Sequence, residues 1–247
     1  MFRYVLAHAG EHPALALAQA PPGLLSRREE EILAGLTRLP RRRKWLLGRW
    51  AAKRLLGELV AEENELVTGL LGKPGLHEDW SGTFSILNDE AGAPYVDREG
   101  QGRLPLALSI SHRGDRGLAA VTLLTGARIG ADLETVEPRD PALVRQFFSG
   151  SEADRVANAG GGDVDRIVAR IWSAKEAVLK ALGIGLRHDT RDIVVGDEST
   201  PPPGAPDAWG ALDTRLAPIL AAEVAPHSLT VLRRDFGTDV VTVALVM

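Results

Sequence analysis

The sequence predicts an α+β protein built from two similar halves. Helical periodicities and alternating strands are grouped along the chain rather than strictly alternating, which favours α+β over a doubly wound sheet. A helix precedes a hairpin in each half. The closing hairpin, "SLTVLRRDFGTDVVTVALVM", also echoes a central one, with "VVTVAL" answering "LAAVTLL". The predicted halves are residues 1–126 and 127–247.

The elements follow in order. "RYVLAHA" reads as a first strand and "LLSRREEEILAGL" as a short helix with Ser26 as N-cap. "RRRKWLLGRWAAKRLLGELVA" is a strong helix after Pro40, with Trp45, Ala52, Leu56 and Leu59 on one face. "NDEAGAPYVDREGQGRLP" is turn-rich. "LALSISH" alternates Leu106, Leu108 and Ile110 against Ala107, Ser109 and Ser111, as a strand does. "RGDRG" is its turn, and "LAAVTLL" returns. A strand "RIGADLE" opens the second half, followed by helices "PALVRQFF" and "SEADRVANA", the latter with Ser151 as its expected N-cap. A long helix runs on from Asp163. "STPPPGAPDAWGAL" is a surface loop by composition.

Composition narrows the function classes. The chain has 247 residues and no cysteine, which excludes a disulfide framework and thiolate chemistry. A net charge of −4 argues against bulk nucleic-acid binding, and no apolar run reaches the roughly 20 residues of a membrane span. The N-terminal "MFRYVLAHAGEHPALALAQA" is interrupted by His8, Glu11, His12 and Pro13, so a signal peptide is rejected and a cytoplasmic protein is expected. "GLLGKPG" lacks Walker spacing, and neither G-x-S-x-G nor H-E-x-x-H occurs.

Four stretches carry chemistry. On a helix of about 100° per residue, Val164, Val168, Ile171, Val178 and Leu182 share an apolar arc that contains Lys175. Glu176 and Lys180 lie just beyond it. Asp163 is a better N-cap than Ser173, so Ser173 is mid-helix and no capping box explains Glu176. A snorkelling structural lysine and a lysine aimed at an anion both remain open. In "IGADLE", Asp132 and Glu134 share the strand face opposite Ile129, Ala131 and Leu133. Either this is a solvent-facing edge, or the pair needs a cation such as Mg²⁺. Ser111 and His112 end a strand, where they either satisfy a turn or receive phosphate. The basic run Arg41, Arg42, Arg43, Lys44, Arg49, Lys53 and Arg54 is either a solvated face or an anion site, and Arg49 falls on the inward side.

The ordered set resembles the surfactin-type 4'-phosphopantetheinyl transferases. It comprises a "GR" helix, "GAP", "SISH", G-x-D-x-E, FFS-x-x-E and W-S-x-K-E-x-x-x-K-x-x-G-x-G, from about Arg41 to Leu186. The last motif is complete: Trp172, Ser173, Lys175, Glu176, Lys180, Gly183 and Gly185. The resemblance implies two lobes related by a pseudo-twofold, with the active site at their interface. It implies coenzyme A as donor, Mg²⁺ as cofactor, and a serine on an apo acyl or peptidyl carrier protein as acceptor. By motif position, Asp132, Glu134 and Glu176 would hold the metal. Arg49, Gly92, Ala93, Pro94, Ser111, His112, Lys175 and Lys180 would line the coenzyme. Glu176, Lys180 and Asp132 would serve catalysis, with Glu176 the candidate base. The family often has Gly-Lys-Pro where this chain has Gly92-Ala93-Pro94, so that cation is missing here. The Arg41–Lys44 cluster is expected to steer an acidic carrier protein. Neither nucleic acid nor membrane is an expected partner, and a monomer is expected. The rival readings are a non-catalytic descendant binding coenzyme A or a carrier protein, and a Mg²⁺-dependent phosphohydrolase.

Overall fold

The computed structural model describes residues 2–62, 65–71, 80–198 and 209–247 and divides the chain into two compact units, Met1–Thr125 and Gly126–Met247. Both are α+β. Unit 1 holds β1 (Phe2–His8), α1 (Pro13–Ala16), α2 (Arg27–Gly35), α3 (Leu39–Ala61), α4 (Glu65–Leu71), β2 (Phe84–Asn88), β3 (Pro94–Arg98), β4 (Gly102–Arg103), β5 (Ala107–Arg113) and β6 (Arg116–Thr122). Its strands form two antiparallel sheets, β1-β6-β5 and β2-β3-β4. Helix α3 starts with Pro40 in its first turn, where a missing N–H costs nothing. Leu47, Ala51, Leu55 and Leu59 pack with Val5, Ala119 and Val121 of the sheet, while Leu46 joins Leu15, Leu24 and Leu33 on the other side. Contacts on both sides leave α3 buried over most of its circumference between Leu46 and Val60.

Unit 2 holds β7 (Arg128–Thr135), α5 (Pro141–Phe147), α6 (Gly150–Ala157), α7 (Val164–Leu182), β8 (Ile193–Glu198), β9 (Gly210–Leu216), α8 (Pro218–Val224), β10 (Leu229–Phe236) and β11 (Asp239–Val246). Its strands form one sheet in the order β7-β11-β10-β9-β8. Helix α7 lies on this sheet, with Val168, Ile171, Ala174, Val178 and Leu182 in the core. It ends at Gly183, whose φ of 69° is the left-handed cap that glycine adopts without a Cβ penalty. None of the described helices is long and apolar enough to cross a membrane.

The units share one connectivity. In each, the first strand pairs antiparallel with the last, and the last pairs with the strand before it: β1-β6-β5 and β7-β11-β10. In each, a long helix packs on those strands. The tryptophan motif occurs twice, as Trp50-Ala-Ala-Lys53 in α3 and Trp172-Ser-Ala-Lys175 in α7.

Several expectations need correction. The turn-rich stretch contains β3 and β4, because its turns are short and Tyr95-Val96-Asp97 still pairs with Ser85-Ile86-Leu87. Strands β8 and β9 and helix α8 were absent from the sequence-based outline. The N-cap of α6 is Ser149, since Glu152 at the third helical position reaches back to the Ser149 N–H at 2.7 Å. Of the expected surface loop, residues 199–208 lie outside the described residues, and Gly210–Leu212 already belong to β9.

Gly130 lets α7 settle on β7. A Cβ there would sit 1.9 Å from the Ala177 carbonyl oxygen and 2.4 Å from the Ala181 nitrogen, which are backbone atoms that cannot swing aside. Gly130→Ala is therefore expected to destabilise the protein by about 3 kcal/mol or more, the upper range of overpacking. Gly150→Ala, with nothing within 4 Å of its Cβ, is expected to be neutral or slightly stabilising. Urea denaturation of the two variants checks this.

Candidate active site

The close approach at Gly130 decides what meets on α7 and β7. Asp132 stands one pleat beyond Gly130 on the same face, and Glu176 and Lys180 flank Ala177 on the helix. Lys180 Nζ donates to Asp132 Oδ1 at 2.6 Å and to the Ala131 carbonyl at 3.2 Å, and it stands 4.0 Å from Glu176 Oε2. Asp132 is 4% and Glu134 7% exposed, so the solvent-facing-edge reading of this pair fails. Arg139, just past the strand, donates to Glu134 Oε2 and to the Thr135 carbonyl.

Burial pushes the Glu176 carboxyl above the usual carboxylate range. Lys180 pulls it back, while the Asp132 and Glu134 charges push it further up. Three carboxylates thus feel one another across this site, and an all-oxygen donor set of this kind suits a hard divalent cation. Among the described residues, no three histidine, aspartate or glutamate side chains converge tightly enough to ligate one ion as they stand. An ammonium and a guanidinium hold the negative charge instead.

Lys175 does something else. It is fully buried, with Nζ 2.9 Å from Glu152 Oε2, 2.8 Å from the Thr190 carbonyl and 2.5 Å from the Ile193 carbonyl. An ammonium has three N–H donors, and all are committed within unit 2. The expectation that Lys175 lines the coenzyme is corrected: it ties α7 to α6 and β8. Glu152 completes the tie by accepting the Val195 N–H at 2.8 Å with its other oxygen.

Unit 1 repeats this arrangement. Lys53, expected on a solvated face or at an anion, is 2% exposed and lies 2.5 Å from Glu29 Oε2. It also donates to the Phe84 carbonyl at 3.1 Å, while Glu29 Oε1 accepts the Ile86 N–H at 3.1 Å. Glu29, like Glu152, sits at the third position of a helix whose capping serine is Ser26 in one unit and Ser149 in the other. The sequence signal was Ser-x-x-Glu before each long helix: Ser26 was legible as a cap, while Ser149-x-x-Glu152 stood only as part of the FFS-x-x-E motif.

The remaining candidates fall in unit 1. A cavity of about 670 Å³ is lined by Arg38, Arg41, Lys44, Trp45, Arg49, Asn88 and His112, among others. Arg49 is 6% exposed, donates to the Ile86 carbonyl at 3.0 Å and Asn88 Oδ1 at 2.9 Å, and stacks 4.3 Å over the Trp45 ring. Burial lowers its pKa to about 10 against the opposing pull of Glu29. The basic run is therefore split: Arg41 and Lys44 face the cavity, whereas Arg42 donates to the Ala18 and Leu33 carbonyls and Arg43 to Ala16. His112 lines the cavity together with Ile110, and strand alternation sends the buried Ser111 to the other face. Gly92, Ala93 and Pro94 form the turn into β3, with Gly92 at φ 87°, and Asn88 Nδ2 donates to the Gly92 carbonyl at 2.7 Å. Arg38 and Asn88 at the cavity, and Arg139 at the carboxylates, were missed, because nothing local in the sequence marks them.

Residues 128–215 match the family model of the 4'-phosphopantetheinyl transferase superfamily. That span contains β7, α7, both acidic positions of β7, Glu176 and Lys180. Most of unit 2 is thus similar to the 4'-phosphopantetheinyl transferase superfamily. A protein of Synechocystis sp. (strain ATCC 27184 / PCC 6803 / Kazusa), provisionally named a 4'-phosphopantetheinyl transferase, is 29% identical over 130 residues, 51% of either chain. A 4'-phosphopantetheinyl transferase of Bacillus pumilus is 31% identical over 80 residues, 32% of this chain and 33% of its own. The chain thus spans about half the length of the first of these relatives and a third of the second. The crystal structure of holo-[acyl-carrier-protein] synthase from Neisseria meningitidis aligns with 49% of this chain and 97% of its own at 22% identity and a TM-score of 0.39. Within unit 2, the two lysines of the long-helix motif have separate duties. Lys180 serves the carboxylates and Lys175 the framework.

Two outcomes follow from this geometry. Lys175→Met leaves Glu152 buried without its cation and should cost about 3–5 kcal/mol. In a double-mutant cycle with Glu152→Gln, the double variant should lose clearly less than the sum of the singles. For Glu176, the folded carboxyl is raised, so its contribution to stability is present below the unfolded value of 4.5 and is lost as pH rises through the folded one. Glu176→Gln should therefore raise the Tm of the metal-free protein at neutral pH. That gain should vanish as the pH falls toward 4.5, as read by calorimetry across pH.

Proposed function

We propose that the protein transfers the 4'-phosphopantetheine group of coenzyme A to a serine hydroxyl of an acyl or peptidyl carrier protein, with Mg²⁺, releasing 3',5'-ADP. The observation that carries this reading is the meeting of Asp132, Glu176 and Lys180 across the β7–α7 contact, inside the segment that matches the superfamily model. Asp132, Glu134 and Glu176 would hold the metal. When bound, it would supply charge neutralisation at the pyrophosphate and polarise its oxygens.

The chain's own groups account for the rest. Attack of a hydroxyl on a pyrophosphate needs positioning and charge stabilisation more than covalent help from the enzyme. Glu176, on the face of α7 beside Lys180, would accept the proton of the serine Oγ–H, directly or through water, as the oxygen attacks the β-phosphorus. The bond from that phosphorus to the bridging oxygen breaks, and the electron pair leaves with 3',5'-ADP. Lys180 is placed to offset the negative charge that builds up at this step. The cavity of unit 1 supports binding of a phosphorylated nucleotide. Arg41, Lys44, Arg49 and His112 supply cations and donors, and the Trp45 ring, already stacked with a guanidinium, supplies an aromatic wall.

The test is a mass measurement. Incubation with coenzyme A, Mg²⁺ and an apo carrier protein should add one phosphopantetheine to the carrier. A phosphohydrolase would release phosphate with no carrier present, and a binding protein would do neither. Asp132→Asn should abolish transfer while leaving the fold intact. Because Arg41 and Lys44 line the nucleotide-sized cavity, Arg41→Glu with Lys44→Glu should raise the KM for coenzyme A more than that for the carrier, the reverse of the steering expected from the sequence. Steady-state kinetics at two salt concentrations read the ranking.

A further inference from the structure

Glu134 is held by a guanidinium from its own chain, five residues further on. Arg139 Nη2 donates to Glu134 Oε2 and, at 3.2 Å, to the Thr135 carbonyl. Its side chain is 17% exposed. Arg139 Nε is buried and has no hydrogen-bond partner among the described residues. The guanidinium therefore grips the carboxylate through one nitrogen, without the two parallel bonds that make Arg–carboxylate pairs strong. A buried donor left unsatisfied also costs free energy, which lowers the barrier to leaving. A second acceptor is within reach, since Glu137 Oε1 lies 3.8 Å from the guanidinium and its side chain is 45% exposed.

The charges explain why a cation is there. Asp132, Glu134 and Glu176 bring three negative charges, and Lys180 and Arg139 answer with two positive ones. These two cations offset much of the carboxylate charge in the metal-free protein. A divalent cation that takes Glu134 Oε2 needs the oxygen that Arg139 now occupies, and two cations at contact distance repel strongly in a partly buried site.

We propose that Arg139 is a tethered internal competitor for the divalent cation. It neutralises Glu134 in the metal-free protein, swings toward Glu137 when the ion arrives, and so sets the affinity of the site for metal. This rests on the reading that the carboxylates hold a divalent ion. Arg139 is a positioning residue, since it acts on the ligand carboxylate and not on a substrate.

The experiment measures Mn²⁺ binding to the full chain by electron paramagnetic resonance and calorimetry, without coenzyme or carrier. Arg139→Gln should bind Mn²⁺ about tenfold more tightly than wild type, as loss of a neighbouring unit charge at contact range allows. Its metal-free form should melt lower, and Mn²⁺ should raise its Tm by more than it raises that of wild type. Arg139→Lys keeps the charge and should restore near-wild-type affinity, which a merely structural role for the side chain would not predict. Equal or weaker binding by Arg139→Gln, with Glu134→Gln still weakening both backgrounds, overturns the role of Arg139 and leaves the metal reading standing. Binding that ignores Asp132→Asn, Glu134→Gln and Glu176→Gln alike overturns the metal reading and the proposal with it.

Discussion

A buried lysine–glutamate pair organises each unit. An ammonium inside an apolar core is tolerated only when a carboxylate and further acceptors meet every N–H. Lys175 finds Glu152 and two carbonyls; Lys53 finds Glu29 and the carbonyls of Leu24, Ser81 and Phe84. Burial still pulls both ammonium groups below the usual lysine range, with the partner carboxylate opposing it. Because each glutamate also caps its own helix and accepts a strand N–H, one pair joins a short helix, a long helix and a strand. The orientation of the long helix follows from this tie, and with it the residues that follow the lysine.

In unit 2 the residue after that lysine is Glu176, and Lys180 stands one turn further. The tie through Lys175 and the close contact at Gly130 together set the rotation of α7 and its height above β7. These two constraints deliver Glu176 and Lys180 to Asp132. In unit 1 the equivalent position after Lys53 is Arg54, which pairs with Glu58 at 3.0 Å and Glu11 at 2.9 Å. The same scaffold thus carries opposite charges at equivalent places. Its acidic version sits in unit 2, and the cationic cavity occupies unit 1.

The predicted elements that held were those with a legible period: the helices α2, α3, α5, α6 and α7 and the strands β1, β5, β6, β7, β10 and β11. The strands β2, β3, β8 and β9 escaped, because short strands between turns have little room for a period and are specified by pairing with distant partners. The carboxylates of β7 were legible as a pair through the pleat, but their burial was not, since it depends on a helix that arrives later in the chain. Arg139 was invisible for a similar reason. A lone arginine in a loop has no pattern, and only the strand's end point shows what it reaches.

The sequence by itself determined the α+β class, the long-helix motif, the acidic pair of β7 and the order of motifs that points to one superfamily. Each of these is written in local spacing. Tertiary structure alone decided which cations act at the carboxylates. On a helical wheel, Lys175 and Lys180 both look like charges beside an apolar stripe, and Arg41 to Lys44 form one cluster. The fold commits Lys175 and Lys53 to interior carboxylates, turns Arg42 and Arg43 to carbonyls, and leaves Lys180 at Asp132 and Arg41 and Lys44 at the cavity. The free energy of a charge is set by the groups that surround it in space, and most of those come from residues far away along the chain.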